Sequence, residues 1–279
     1  MRSPSVLVAA LSIALVAATS LAAGAPAGAA ALPASSKATS TVPDGRTIPK
    51  TNVTTNGRTW KQTFRAGFDS AAPVGKFAAT YPRIGLYDGF TDTTGKGKYA
   101  PSKVLSVKGG VLDFALHTEK GQPLVAAIMP DGYAPHKTGR VSIRYKTTKT
   151  QGYKFSTILW PSSDDWNEGE IDWPEADLGA RPRPASAVPG SWTPLGMRFE
   201  PGKETFAPSD STGWHVATTE WDKGIVRFYW DGKLVSSTTK AVPTTAFRVT
   251  MQAETTTNGG AIPASAVGHV SVDWIAIWN

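Results

Sequence analysis

The chain of 279 residues contains no cysteine. That excludes thiol catalysis, zinc–thiolate sites and disulfide exchange, and leaves a large core to supply the stability that disulfides give small exported proteins. Histidine is scarce. His117, His136, His215 and His269 show no short metal-ligand spacing. There is no Gly-x-Ser-x-Gly elbow for serine catalysis, no Gly-x-Gly-x-x-Gly after a strand and no phosphate-binding Lys loop. Amphipathic helical periodicity is almost absent, and no internal repeat is found. The formal net charge of +7 has no concentrated stripe: Lys96, Lys98, Lys103, Lys108, Lys146, Lys149, Arg181 and Arg183 are scattered. Nucleic-acid binding is therefore not expected. A dispersed basic surface suits an anionic cell wall, an acidic polysaccharide or plain solubility.

Long apolar runs are lacking too, except at the start. Arg2 followed by the apolar Val6–Ala23 and by Ala27-Gly28-Ala29 reads as a secretory signal peptide over 1–29, cleaved after Ala29. A retained anchor is the alternative, but the run is barely long enough to span a bilayer. The expected product is secreted, with no membrane contact after cleavage. Residues 30–57 are rich in Ala, Pro, Ser and Thr without a large apolar cluster, so they read as a flexible leader. Residues 58–279 have the size of one all-β domain, expected to be a monomer.

Strand signals fill that domain. Val104–Val107, Val111–Leu116, Leu124–Met129, Arg140–Lys146, Lys154–Trp160, Val216–Glu220, Ile225–Trp230, Phe247–Ala253 and His269–Trp278 are rich in β-branched or aromatic residues. Lys108-Gly109-Gly110 and Asp231-Gly232 read as hairpin turns. Many short strands joined by Gly, Pro and Asp turns predict a β-sandwich.

The chemistry concentrates in Glu170-Ile171-Asp172-Trp173-Pro174-Glu175. On a strand, Glu170 and Asp172 share a face, whereas Glu175 falls on the other. One extra residue, a β-bulge, returns it. Pro174, which has no N–H for a ladder, stands where the bulge is needed. Crowded carboxyls raise at least one pKa, so one is held protonated beside an ionised neighbour. Glycoside hydrolysis uses such a pair, roughly 5–5.5 Å apart when configuration is retained. With the bulge, the Cα atoms of Glu170 and Glu175 span ~13 Å, most of which two inward-leaning side chains can close. An acidic surface strand or a calcium site is the bland alternative, and the flanking Trp160, Trp166 and Trp173 argue against a plain solvated face.

This segment, following Leu159-Trp160-Pro161, resembles the Glu-x-Asp-x-x-Glu signature of family 16 glycoside hydrolases, the bulged laminarinase-like branch. Further stretches resemble the same family in order: Thr138–Arg144, Gly213–Val216 with Glu220-Trp221, Val226–Lys233, and Val272–Trp278. Together they cover roughly residues 60–279. The resemblance implies a jelly-roll, concanavalin A-like sandwich with a concave substrate cleft. It implies Glu170 as nucleophile, Asp172 as its assisting carboxylate and Glu175 as acid/base. The substrate it implies is a β-linked polysaccharide, with β-1,3-glucan the default, cut internally with retention and without a cofactor. Many relatives carry a His on the strand after the catalytic one. Here Arg181–Arg198 has none, which puts the transfer of subsite contacts in doubt.

Ten tryptophans are many for this length, and an indole offers a flat partner for the apolar face of a sugar. Trp160 and Trp166 are candidate substrate contacts. Trp173 should face the core by parity, and Trp221, Trp230, Trp274 and Trp278 fit packing positions. The resemblance places His215 close to the cleft and the strand of Gln252 beside the catalytic one, making both candidate sugar ligands. It also allows a structural calcium at Asp273, although no local loop offers the six to eight oxygens calcium takes. Two other functions stay open: a non-catalytic carbohydrate-binding protein, and a polysaccharide lyase in which Tyr153 or His215 would join the carboxylates.

Overall fold

The computed structural model describes residues 47–256 and 261–279. The expected signal peptide and the leader as far as residue 46 lie outside the described residues. The strands in chain order are β1 (Val53–Thr55), β2 (Arg58–Trp60), β3 (Gln62–Ala66), β4 (Gly85–Leu86), β5 (Lys98–Tyr99), β6 (Leu105–Lys108), β7 (Val111–Glu119), β8 (Gln122–Met129) and β9 (Gly139–Thr147). They continue with β10 (Tyr153–Pro161), β11 (Ile171–Asp177), β12 (Arg183–Ala187), β13 (Phe199–Glu200), β14 (His215–Asp222), β15 (Ile225–Trp230), β16 (Lys233–Thr238), β17 (Phe247–Thr255) and β18 (Gly268–Trp278). Helix among the described residues is limited to α1 (Phe77–Thr80), α2 (Pro101–Val104) and a 3-10 turn at Trp166–Glu168. None is long and apolar enough to cross a membrane.

The strands form an all-β, jelly-roll-like sandwich. One sheet runs β13-β12-β11-β10-β17-β8, with β4 on β8. The other runs β7-β18-β9-β14-β15-β16, with β6 on β7 and β3 on β18. The hairpin from β7 to β8 joins them. Alternation explains the layering. On β10, Tyr153, Phe155 and Leu159 enter the core, while Lys154, Ile158 and Trp160 alternate with them on the open face. Rings from both sheets interlock in between: Phe155 lies 5.3 Å from Tyr145, and Trp173 lies 5.8 Å from Trp230 and 6.1 Å from Phe228. Trp173, Trp221, Trp230, Trp274 and Trp278 are all buried, as their positions predict.

Both expected hairpin turns are present. Gly109 and Gly110 have φ of 59° and 79° between β6 and β7, and Asp231 and Gly232 have φ of 48° and 75° between β15 and β16. These positive values are what tight strand reversals demand.

The folded region begins earlier than residue 58. β1 lies within the segment read as leader and pairs with β2 across an Asn56-Gly57 turn. Glu220, buried in β14, fixes this hairpin by accepting hydrogen bonds from Thr55 Oγ1 at 2.5 Å and Asn56 Nδ2 at 3.0 Å, while pairing with the buried Arg140. A polar segment thus gains order from a distant carboxylate in addition to the small apolar cluster of Trp60, Ala276 and Trp278 against which Val53 packs.

Candidate active site

The carboxylate segment sits between β10 and β12. On β10, Asp172 faces Ile158 and Glu175 faces Ser156; on β12, they face Ala185 and Arg183. From Asp172 to Glu175 is three residues on β11 but two on either neighbour, which defines a one-residue bulge. It falls at Pro174, whose bond to Trp173 is cis. Before the bulge, Ile171 and Trp173 enter the core, so Glu170 and Asp172 take the open face. The bulge restores Glu175 to that face. Glu170 stands just ahead of β11, its carbonyl accepting the Ala187 N–H at 2.7 Å.

The three acids are unequally buried. Glu170 is 9% exposed and Asp172 4%, whereas the Glu175 side chain is 33% exposed. Burial pushes the Glu170 carboxyl up to about 7, and the charge of Glu175 adds to this; hydrogen bonds from Trp166 and Asp172 and the charge of Lys154 act against it. Asp172 is raised well above the usual aspartate range, again by burial first and then by the charges of Glu170 and Glu175. Trp166 Nε1 donates to Glu170 Oε2 at 2.7 Å. The site therefore retains a proton in its buried pair near neutral pH, with an indole N–H aimed at Glu170.

A cation faces this cluster. Lys154 Nζ lies 3.8 Å from Glu175 Oε1 and 3.5 Å from Glu254 Oε2. Burial disfavours its charge, but Glu254, Glu175, Asp172 and Glu170 together outweigh that and raise its pKa. Glu254 is itself 1% exposed and held by Thr93 Oγ1 at 2.6 Å, by Tyr99 Oη and by Gln252 Nε2. Beside it, Tyr87, Phe90 and Tyr99 pack with centroids 5.1–5.5 Å apart. Next to Trp160, Arg248 pairs with Asp164 at 2.6 Å, and Trp160 Nε1 donates to Asp164 at 3.1 Å.

Trp160 and Trp166 thus lie on the same side of the sheet as the trio, half-buried. Gln252 does too, in line with Ser156 and Glu175, but its amide N–H groups go to Tyr99 Oη at 2.7 Å and to Glu254. It organises the floor instead of offering a free donor to a sugar. His215 is not brought to the trio. It opens β14 in the opposite sheet, where Nδ1 meets Asp231 at 2.7 Å and the ring stacks 4.5 Å from Trp230. Tyr153 enters the core, so neither partner considered for lyase chemistry adjoins the carboxylates. Asp273, the residue considered for calcium, pairs with the Arg144 guanidinium at 2.5 Å, which also stacks 4.6 Å over Trp214. Among the described residues no cluster of three acids and histidines could hold a metal ion.

Sequence reasoning missed Lys154, Arg183 and Tyr99. A lysine alternating with Ser156, Ile158 and Trp160 on the strand before the acids was a readable signal for the first. Tyr99 comes from a two-residue strand that no periodicity marks.

A β-sandwich whose open face carries two buried carboxyls and a third beside them is the arrangement that glycoside hydrolysis uses. Comparison narrows the class: the family described as Glycosyl hydrolases family 16 matches residues 133–276, just over half of the chain. The chain belongs to that family. No curated protein matches it. Among solved structures it is similar to the laminarinase from Rhodothermus marinus, with TM-score 0.64 and 18% identity over 79% of this chain and 97% of the other. It is also similar to the endo-beta-1,3-glucanase from Pyrococcus furiosus, with TM-score 0.62 and 16% identity over 83% and 98%. The catalytic domain of an endo-1,3-beta-glucanase (laminarinase) from Thermotoga petrophila RKU-1 gives TM-score 0.57 and 19% identity over 79% and 98%. At these identities the likeness is one of fold.

Proposed function

We propose that the protein is an exported endo-glycosidase that hydrolyses β-1,3-linked glucan with retention of configuration, by double displacement and without a cofactor. The observation that carries this reading is the bulge at Pro174, which sets Glu175 on the same face as Glu170 and Asp172. In the first step a Glu170 oxygen bonds to the anomeric carbon as the glycosidic C–O bond breaks, and the Glu175 carboxyl gives its proton to the departing oxygen. In the second, the Glu175 carboxylate takes a proton from water, whose oxygen bonds to the anomeric carbon as the ester to Glu170 breaks.

Asp172 supports the nucleophile. Its pKa is raised well above the usual range by burial and by its neighbours, so it holds a proton. It can then hydrogen-bond to Glu170 together with the Trp166 indole, favouring the ionised Glu170 that attack requires. The glucan assignment rests on the named activities of proteins sharing the fold, and export rests on the N-terminal sequence.

Reducing-end release tests the reading, with the wild type beside Glu170→Gln on β-1,3-, mixed-linkage and acidic polysaccharides. Release from β-1,3-glucan by the wild type alone is expected. Binding without release, unchanged by Glu170→Gln, would point to a carbohydrate-binding protein. A product absorbing in the ultraviolet from an acidic polysaccharide would point to a lyase.

A further inference from the structure

Trp192 is 53% exposed on a loop that the catalytic reading does not use, and Leu195 at its tip is 99% exposed. Exposure of a large apolar side chain invites a functional account when the chain holds it in place. This loop, between β12 and β13, is held. Val188 N–H donates to Arg198 O at 2.8 Å, and Arg198 N–H to Ser191 Oγ at 3.0 Å. Asn167 ties it to the 3-10 turn: its carbonyl accepts from Gly190 N–H at 2.9 Å, and its side-chain Oδ1 from Trp192 N–H at 3.3 Å. Asp165 caps the same turn, accepting the Asn167 N–H at 2.9 Å.

Between turn and loop lies a cavity of about 380 Å³ lined by Asp165, Trp166, Asn167, Gly190 and Trp192. Trp166 links it to the catalytic site, lining the groove while donating its indole N–H to Glu170. Two indoles supply apolar surface for the C–H faces of a pyranose, and Asp165 and Asn167 are exposed polar groups beside them. The walls are set before any ligand arrives, which limits the ordering cost of binding.

We infer that Trp192, with Trp166, Asp165 and Asn167, forms a subsite for a neutral hexose ring of the glycan chain on the Glu170 side of the cleavage point. The inference rests on the proposed glucanase reading and adds a specificity element to it. The loop gives the protein a grip on chains long enough to reach beyond the trio.

The test uses the Glu170→Gln protein, which keeps the cleft but should not turn over, titrated with a β-1,3-gluco-hexaose by calorimetry. In that background Trp192→Ala should weaken binding about tenfold or more, the scale of losing an aromatic anchor, and Trp192→Phe should restore most of it. Equal hexaose affinity in the Glu170→Gln protein with and without Trp192→Ala would overturn the subsite and leave the glucanase reading standing. No hexaose binding by the folded Glu170→Gln protein would overturn both. Circular dichroism of each variant confirms that an intact fold is compared.

Discussion

Glu170→Gln should abolish activity and make the protein more stable above neutral pH. Glu170 is held at about 7 in the fold, against an ordinary value of 4.5. The sign follows from which state keeps the proton. Below 4.5 both folded and unfolded chains are protonated, and no penalty exists. Between 4.5 and about 7 the unfolded chain releases a proton that the fold retains, so stability falls as pH rises. Above about 7 the penalty is complete. The interval corresponds to roughly 3 kcal/mol at ~1.36 kcal/mol per pH unit. Glutamine removes the charge yet keeps an oxygen to accept the Trp166 N–H. For a domain of this size that is a rise in Tm of roughly 5–10 °C at pH 8, fading towards pH 4.5. Calorimetry at pH 5 and pH 8 reads it directly. The ionised nucleophile also sets the acid limb of kcat/KM, so wild-type activity should decline below about pH 7. A variant no more stable than the wild type at pH 8, or one stabilised more at pH 5 than at pH 8, would refute the claim that crowding and burial strain this carboxylate.

Other consequences follow from the same contacts. Lys154 is one of the groups holding Glu170 and Asp172 down, so Lys154→Met should move the acid limb of the pH–rate profile upward. A kcat loss with an unmoved limb would contradict this. Trp173→Ala removes a core indole that donates to Tyr229 O at 3.0 Å, and denaturant unfolding should show a loss of roughly 3–5 kcal/mol. Glu220→Ala leaves Arg140 buried without its partner and frees the β1–β2 hairpin. It should cost roughly 3–5 kcal/mol, and limited proteolysis should cut first near Asn56-Gly57.

Much of the fold was legible because β-branched and aromatic runs of period two mark buried strands. Each of the long stretches expected from that pattern is a strand here. The elements that were missed lack it: β12 is built from Arg, Pro, Ala and Ser, and β16 has polar Ser and Thr where a core strand would be apolar. The β1–β2 hairpin did carry a signal, since Asn-Gly is a strong turn dipeptide, but Ala, Pro, Ser and Thr around it read as a leader. Its anchor, Glu220, lies 165 residues from Thr55 and no local pattern reveals it.

The site divides in the same way. The bulge at Pro174 was readable from parity and the missing N–H alone. His215 was misplaced because it was put near the cleft by resemblance alone, and a likeness over a few residues does not say which sheet the strand joins. The strand of Gln252 was expected beside the catalytic one, but β10 lies between them, and its partner Tyr99 is 153 residues distant, so its donors could not be known to be engaged. Asp273 shows the same limit: the guanidinium that covers it comes from β9, 129 residues earlier.

The central claim is that Glu170 attacks and Glu175 moves the proton. The most direct test is mass spectrometry of the protein after reaction with a 2-fluoro-β-glucan oligosaccharide carrying a good leaving group, which slows release of a covalent intermediate. The account predicts one glycosyl unit per chain, mapped to Glu170, and none in Glu170→Gln. A label on Glu175 or Asp172, or turnover with no covalent species at any time, would contradict it.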